Sequence, residues 1–148
     1  MKETKITHLG KQTYEAVIRG SIGTRMFRSS YARVNKKAVD ITRKGELSCA
    51  FFVSSVLLMF GMIKEQHATV AGTVRDLESS GWKKVSRPVV GDVIVWAPRT
   101  KGPKAHGHIG FFVGSGKAIS NNSKSGVPTQ HTWDSRSVVA VYRSKELQ

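Results

Sequence analysis

Apolar residues along this chain follow two periods, one helical and one extended. From Cys49 onward, Cys49, Phe52, Val53, Val56, Leu57 and Phe60 fall at i, i+3, i+4, i+7, i+8 and i+11, which is one face of a helix. Ser48 stands just before it as an N-cap residue type and Gly61 just after as a stop, so the helix begins at Cys49. A second helix is predicted from Thr69 to Ser80, where Val70, Val74 and Leu77 are spaced by three and four and Gly81 ends the pattern. Upstream, Tyr14, Val17, Ile18, Ile22, Met26 and Phe27 give a looser helical reading over residues 11–33, interrupted by Gly20 and Gly23. Residues 35–48 are polar and turn-rich and read as a loop.

Downstream the extended period takes over. DVIVWA (92–97) follows the turn RPVVG, HIGFFVG (108–114) and KAISN (117–121) flank the tight GSG turn of a hairpin, and SVVAVYR (137–143) makes a last strand. Helices first and antiparallel strands after them predict an α+β domain, with a cysteine-bearing helix packed on the sheet. The chain reads as a single domain over 1–148. Its segment 1–44 is helix and loop of unassigned role, and its core is 45–148.

Composition adds three limits. One cysteine in 148 residues excludes an intrachain disulfide framework, so the fold rests on its core. The apolar run from Ala50 to Ile63 is broken by Ser54, Ser55 and Gly61 and falls short of the ~20 residues of a membrane span. The N-terminal MKETKITHLGKQTYEA has no apolar h-region of a secretory signal, so the chain is expected to be soluble.

Charge is the unusual quantity, with 24 Lys and Arg against 10 Asp and Glu for a formal +14. Such an excess fits an anionic partner: nucleic acid, a membrane surface or an anionic wall polymer. The basic residues are scattered, and the aromatics lie within apolar runs rather than between basic residues. Neither suits specific nucleic-acid readout.

The lone cysteine could be packing, as a Cys followed by Phe-Phe-Val is on composition alone. Its place at a capped helix start changes that, because the helix dipole favours a thiolate there. An imidazole would complete the activation. Of His8, His67, His106, His108 and His131, His108 opens a strand and is held on rigid backbone, and His106 lies two residues earlier. His8 and His67 read as surface residues, and Asp92 as part of its turn. Ser120, Asn121 and Asn122 follow the hairpin turn and could orient the imidazole. GSGK (114–117) lacks the full phosphate-loop spacing and is better explained as the hairpin turn. His106 and His108 with His131 or Cys49 match no recognised zinc-ligand spacing, so no metal is expected.

The order of a helix with Cys, then strand-borne His, then a polar residue on the next strand resembles the papain-like NlpC/P60 peptidases, with a looser likeness to the CHAP amidases. The segments SCAFFVSSVL, RPVVGDVIVW and HIGFFVGSGKAIS carry the likeness, over residues 45–122. The resemblance implies that Cys49 attacks an amide carbonyl and that His108 acts as base and then acid. It also implies an oxyanion hole of backbone N–H groups around Ser48 and Cys49. The implied substrate is the peptide of bacterial peptidoglycan, an anionic polymer, with no cofactor and a monomeric enzyme. Because no signal peptide is read, the wall would be reached after phage lysis or by non-Sec delivery, and otherwise the site of action is cytoplasmic.

Departures from the family pattern shape the remaining expectations. The usual Asp-Cys-Ser-Gly-Phe is Ser48-Cys49-Ala50-Phe51-Phe52, and no proline directly precedes Gly91. The third catalytic residue, often His twelve positions after the first, is here Ser120, a poor orienter of imidazole. The role is therefore assigned to Asn121, which needs a one-residue shift to align, with Asn122 behind it. Ser48, His106, Asn122 and His131 are placed on the oxyanion and substrate side. The alternatives are acyl transfer by the same fold on a non-wall substrate, and a basic polyanion-binding module with an inert cysteine.

Overall fold

The computed structural model describes residues 3–45, 47–103 and 105–147. Helix α1 (Gly10–Gly20) buries Tyr14 and Ile18, and the Tyr14 hydroxyl donates to the Gly91 carbonyl at 2.8 Å. The helix stops well short of residue 33, because the chain turns at Gly23 (φ 77°) and leaves Ile22 and Met26 exposed. Of the later apolar positions in that stretch, Phe27 is the one that reaches the core.

Residues read as loop form a hairpin instead. Strand β1 (Tyr31–Val34) pairs with β2 (Lys37–Asp40) across a turn in which Asn35 and Lys36 both have positive φ. Its side chains are nearly all exposed, so no buried face imposes an alternation that a sequence pattern could reveal.

Helix α2 (Cys49–Met59) is the centre of the larger core, burying Phe52, Val53, Val56 and Leu57. Helix α3 (Val70–Ser79) starts where expected, capped by the Thr69 hydroxyl, which accepts from the Gly72 N–H at 3.0 Å. The strands β3 (Lys83–Val85), β4 (Val93–Trp96), β5 (His108–Gly114), β6 (Lys117–Asn121), β7 (Pro128–Thr132) and β8 (Val138–Arg143) form one antiparallel sheet. Its order is β3-β8-β4-β5-β6-β7. The edge strands β3 and β7 carry mostly polar, partly exposed residues, which is why no apolar run announced them.

The sheet is apolar on both faces. Val93, Val95, Ile109, Phe111 and Ile119 join the core beneath α1 and α2, while Ile94, Trp96, Phe112, Ala118 and Val141 form a second, smaller core. That double burial explains the unbroken apolar runs VIVW and IGFFV, since a strand covered on both sides need not alternate. At one end of β4, buried Asp92 accepts from the Val89 N–H at 2.8 Å and pairs bidentately with Arg143, at 3.0 and 2.8 Å. Asp92 thus closes its turn, as its position implied. Among the described residues no helix is long and apolar enough to cross a membrane.

Candidate active site

The opposite end of β4 faces a cleft of about 810 Å³, into which Cys49, His108, Ser120 and His131 all open. Cys49 is the first residue of α2 and is half-buried. Ser48, expected as its cap, is fully buried and makes no capping bond; its hydroxyl donates to the Gly45 carbonyl at 3.2 Å. The Ser48 side chain therefore caps none of the amides of the first turn of α2.

Burial pushes the Cys49 thiol up, against the N–H groups of Ala50 and Ile109 and the charge of Arg136, which favour the thiolate. Desolvation wins. The sulfur rests as a thiol, not as the pre-formed thiolate that a helix start and an imidazole would suggest.

His108 opens β5 opposite Trp96, and its ring lies 5.4 Å from the indole at a tilt of 32°. Its Nε2 is 2.8 Å from Ser120 Oγ, and that is its hydrogen bond among the described residues, which leaves Nδ1 without a protein partner there. Burial first, then the neighbouring Arg136, His131, Arg99 and His106, lower its pKa to about 3. At neutral pH it is therefore uncharged and holds a lone pair.

Ser120, set aside in the sequence as a poor orienter, is the residue that touches His108. It pairs in register with Gly110, placing the two side chains on one face. Gly110 makes the approach possible: a Cβ there would lie 2.7 Å from both the Ile119 carbonyl and Ser120 Cβ, and 3.0 Å from Trp96 Cζ3. Asn121 points to the other face, where its Nδ2 donates to the Gly45 carbonyl at 2.6 Å. The one irregularity in this pairing lies between Phe112 and Gly114, at the far end of the hairpin, so nothing rotates Asn121 toward the imidazole. Its buried Oδ1 finds no partner among the described residues. Asn122 lines the cleft, as placed in the sequence, but its Oδ1 accepts from the Lys124 and Ser125 N–H groups at 2.9 and 3.1 Å rather than from the imidazole.

His131 sits on β7, with Nε2 2.6 Å from Ser120 Oγ and Nδ1 3.0 Å from the Thr132 carbonyl. Its ring also packs on Trp96, at 5.5 Å, so one indole supports both imidazoles. Trp96 is fixed in turn by its Nε1, which donates to the Trp133 carbonyl at 2.7 Å. His106 lines the cleft from the loop before β5, and its carbonyl accepts from Arg136 at 3.4 Å. His67 is not a free surface residue: it lies 2.7 Å from Asp76 on the far side of α3. Among the described residues no group of three or more His, Cys, Asp or Glu is placed to hold a metal ion.

Sequence reasoning missed Ser120 as the hub, Trp96 as the floor, and the cations Arg99 and Arg136 at the mouth. The spacing of twelve from His108 to Ser120 did point to the right position, and the chemistry of serine argued against it. The cleft lining includes Arg99, Lys124 and Arg136 but, among the described residues, no Asp or Glu.

Residues 40–136, nearly two thirds of the chain, match the family model for the CHAP domain. CHAP domains are papain-like cysteine and amidase domains related to NlpC/P60, with peptidoglycan hydrolysis as their general activity. Of the two likenesses read in the sequence the match falls on the looser, within the same broad relationship. Among curated proteins no match is found.

Proposed function

We propose that this chain, which belongs to the CHAP domain family, cleaves an amide of peptidoglycan through a thioester on Cys49, with His108 as the base. The observation that carries the reading is a shared cleft. Cys49, the first residue of α2, opens into it together with His108, a neutral imidazole whose Nδ1 makes no hydrogen bond among the described residues.

Because the resting pair is uncharged, deprotonation and attack are coupled. The thiol proton moves to His108 Nδ1 as the sulfur adds to the carbonyl carbon, and the carbonyl electrons collect on oxygen. The amides at the start of α2, with the positive end of its dipole, face that oxyanion. Collapse of the tetrahedral species breaks the C–N bond, and the leaving amine takes the proton from His108. Water then attacks the thioester with His108 again as base, releasing a carboxylate and restoring the thiol.

The surface field supports the substrate class. A +14 protein whose cleft mouth carries Arg99, Lys124 and Arg136 attracts an anionic polymer. We read residues 1–148 as one unit, since Tyr14 and Ile18 of α1 complete the core under the sheet. The test is digestion of purified peptidoglycan by wild type and Cys49→Ala, with mass spectrometry of the released fragments. Loss of about 10³-fold or more in product is expected when a covalent nucleophile is removed. Equal product from both proteins would overturn the reading. Salt-dependent polymer binding unaffected by Cys49→Ala, with no product from either protein, would instead favour a binding module.

A further inference from the structure

We propose that His131, acting through the Ser120 hydroxyl, sets which nitrogen of His108 carries the proton, and that the Thr132 carbonyl anchors this chain. The proposal deepens the reading above, in which Cys49 is the nucleophile and His108 its base.

Donor and acceptor roles follow from the last link backward. A carbonyl oxygen has no proton to give, so the 3.0 Å contact between His131 Nδ1 and the Thr132 oxygen requires an N–H on Nδ1. In this chain His131 is taken as the neutral ring, with its one proton on Nδ1, so its Nε2 is a lone pair. Between that nitrogen and His108 lies one hydroxyl proton, and because Nε2 can only accept, the 2.6 Å contact is made by Ser120 donating to His131. Ser120 Oγ is thereby left to accept, and at 2.8 Å it accepts the Nε2–H of His108. The remaining nitrogen of His108, Nδ1, must hold the lone pair that takes the Cys49 proton.

For a neutral His131 the reverse polarity fails at its far end. If Ser120 donated to His108, His131 would donate to Ser120, and a neutral His131 would then turn an Nδ1 lone pair on the Thr132 oxygen. The surroundings offer no competing orienter. Arg136, Arg99 and His106 face His108 with positive or neutral groups, and no described carboxylate lines the cleft. Both imidazoles rest on the Trp96 indole, so neither ring turns freely to swap its nitrogens.

A serine hydroxyl differs from a carboxylate in this place. It directs the proton of His108 without adding negative charge, so it fixes the tautomer while leaving the imidazole weakly basic. His131 touches no substrate atom in this scheme and is a positioning residue.

Two measurements decide it. The first is ¹⁵N spectroscopy of histidine-labelled protein without substrate, in which protonated and bare ring nitrogens are distinguished. Expected are Nε2–H on His108 and Nδ1–H on His131; a bare Nε2 on His108 would overturn the proposal. The second is kinetics on peptidoglycan. His131→Phe keeps a ring but loses the acceptor, frees the Ser120 proton to turn toward His108, and should lower kcat about 10²-fold with KM within about twofold, the low end of general-base contributions. His131→Gln retains an acceptor oxygen and should recover most of kcat. Unchanged kcat in folded His131→Phe, or equal losses in both variants with the His108 tautomer unmoved, would count against the chain. Undiminished hydrolysis by Cys49→Ala would instead sink the nucleophile reading, and the ring nitrogens would still report on the chain.

Discussion

Strand β4 has a polar cluster at each end, and the two are built on opposite principles. At its start, Asp92 and Arg143 form a charged, bidentate pair in which the carboxylate is buried and every oxygen is used. At its finish, Trp96 lies beneath His108, Ser120 and His131, a set of hydrogen bonds without a carboxylate. The first arrangement holds a turn and moves nothing. The second leaves a nitrogen uncommitted toward a cleft. A carboxylate in the cleft would bind Arg136 or Arg99, repel an anionic polymer and raise the basicity of His108. Its absence among the described lining residues keeps the cations available and the imidazole neutral at neutral pH.

Substitutions at the two ends should therefore separate stability from turnover. Asp92→Ala strands Arg143 and opens the turn, and should cost about 3–5 kcal/mol of unfolding free energy by denaturant titration. Activity per folded molecule at a permissive temperature should stay within about twofold, and a large loss there would break the distinction. Ser120→Ala should do the reverse. Hydrolysis should fall about 10²-fold, equivalent to roughly 2.7 kcal/mol in the barrier, while unfolding free energy drops by about 1–2 kcal/mol for the unpaired imidazole N–H. If its main effect proved to be on stability, the two ends would be alike after all.

A third polar cluster sharpens the contrast through pH. Burial raises the pKa of Asp76, but hydrogen bonds from His67, the Lys64 N–H, the Ser80 hydroxyl and the Glu65 N–H outweigh it and hold the carboxyl at about 2. A lowered carboxylate stabilises the fold above its unfolded pKa, and that contribution fades as pH falls through its folded value. Stability should thus decline between about pH 4 and pH 2 by at most about 2 kcal/mol. Asp76→Asn should flatten that dependence in acid-unfolding curves without touching the pH profile of turnover.

Much of the frame was legible before the structure. The helix starting at Cys49, the hairpin around GSG and the strand after RPVVG are long or strongly punctuated, and each was read from apolar spacing. What escaped was organised by neighbours rather than by local pattern. The β1–β2 hairpin and strand β7 bury little, so hydrophobic periodicity had nothing to register. Ser48 has the chemistry of a cap, yet its buried hydroxyl is claimed by Gly45. Asn121 has the chemistry of an imidazole orienter, yet strand alternation sends it to the opposite face from His108. Ser120 was undervalued for a related reason: a hydroxyl is a weak orienter by itself, and its partner His131 arrives from a strand the sequence did not announce.

Gly110 ties this arrangement to a close approach of two strands. The likeness read in the sequence would put an imidazole at the position Ser120 holds here. In this protein β5 and β6 run so close that even a methyl group at 110 would collide with the neighbouring strand and crowd Trp96. A histidine at 120 would have to displace the indole or the ring of His131. Serine at 120 and histidine at 131 therefore act as one unit, and a larger residue at the first calls for a smaller one at the second.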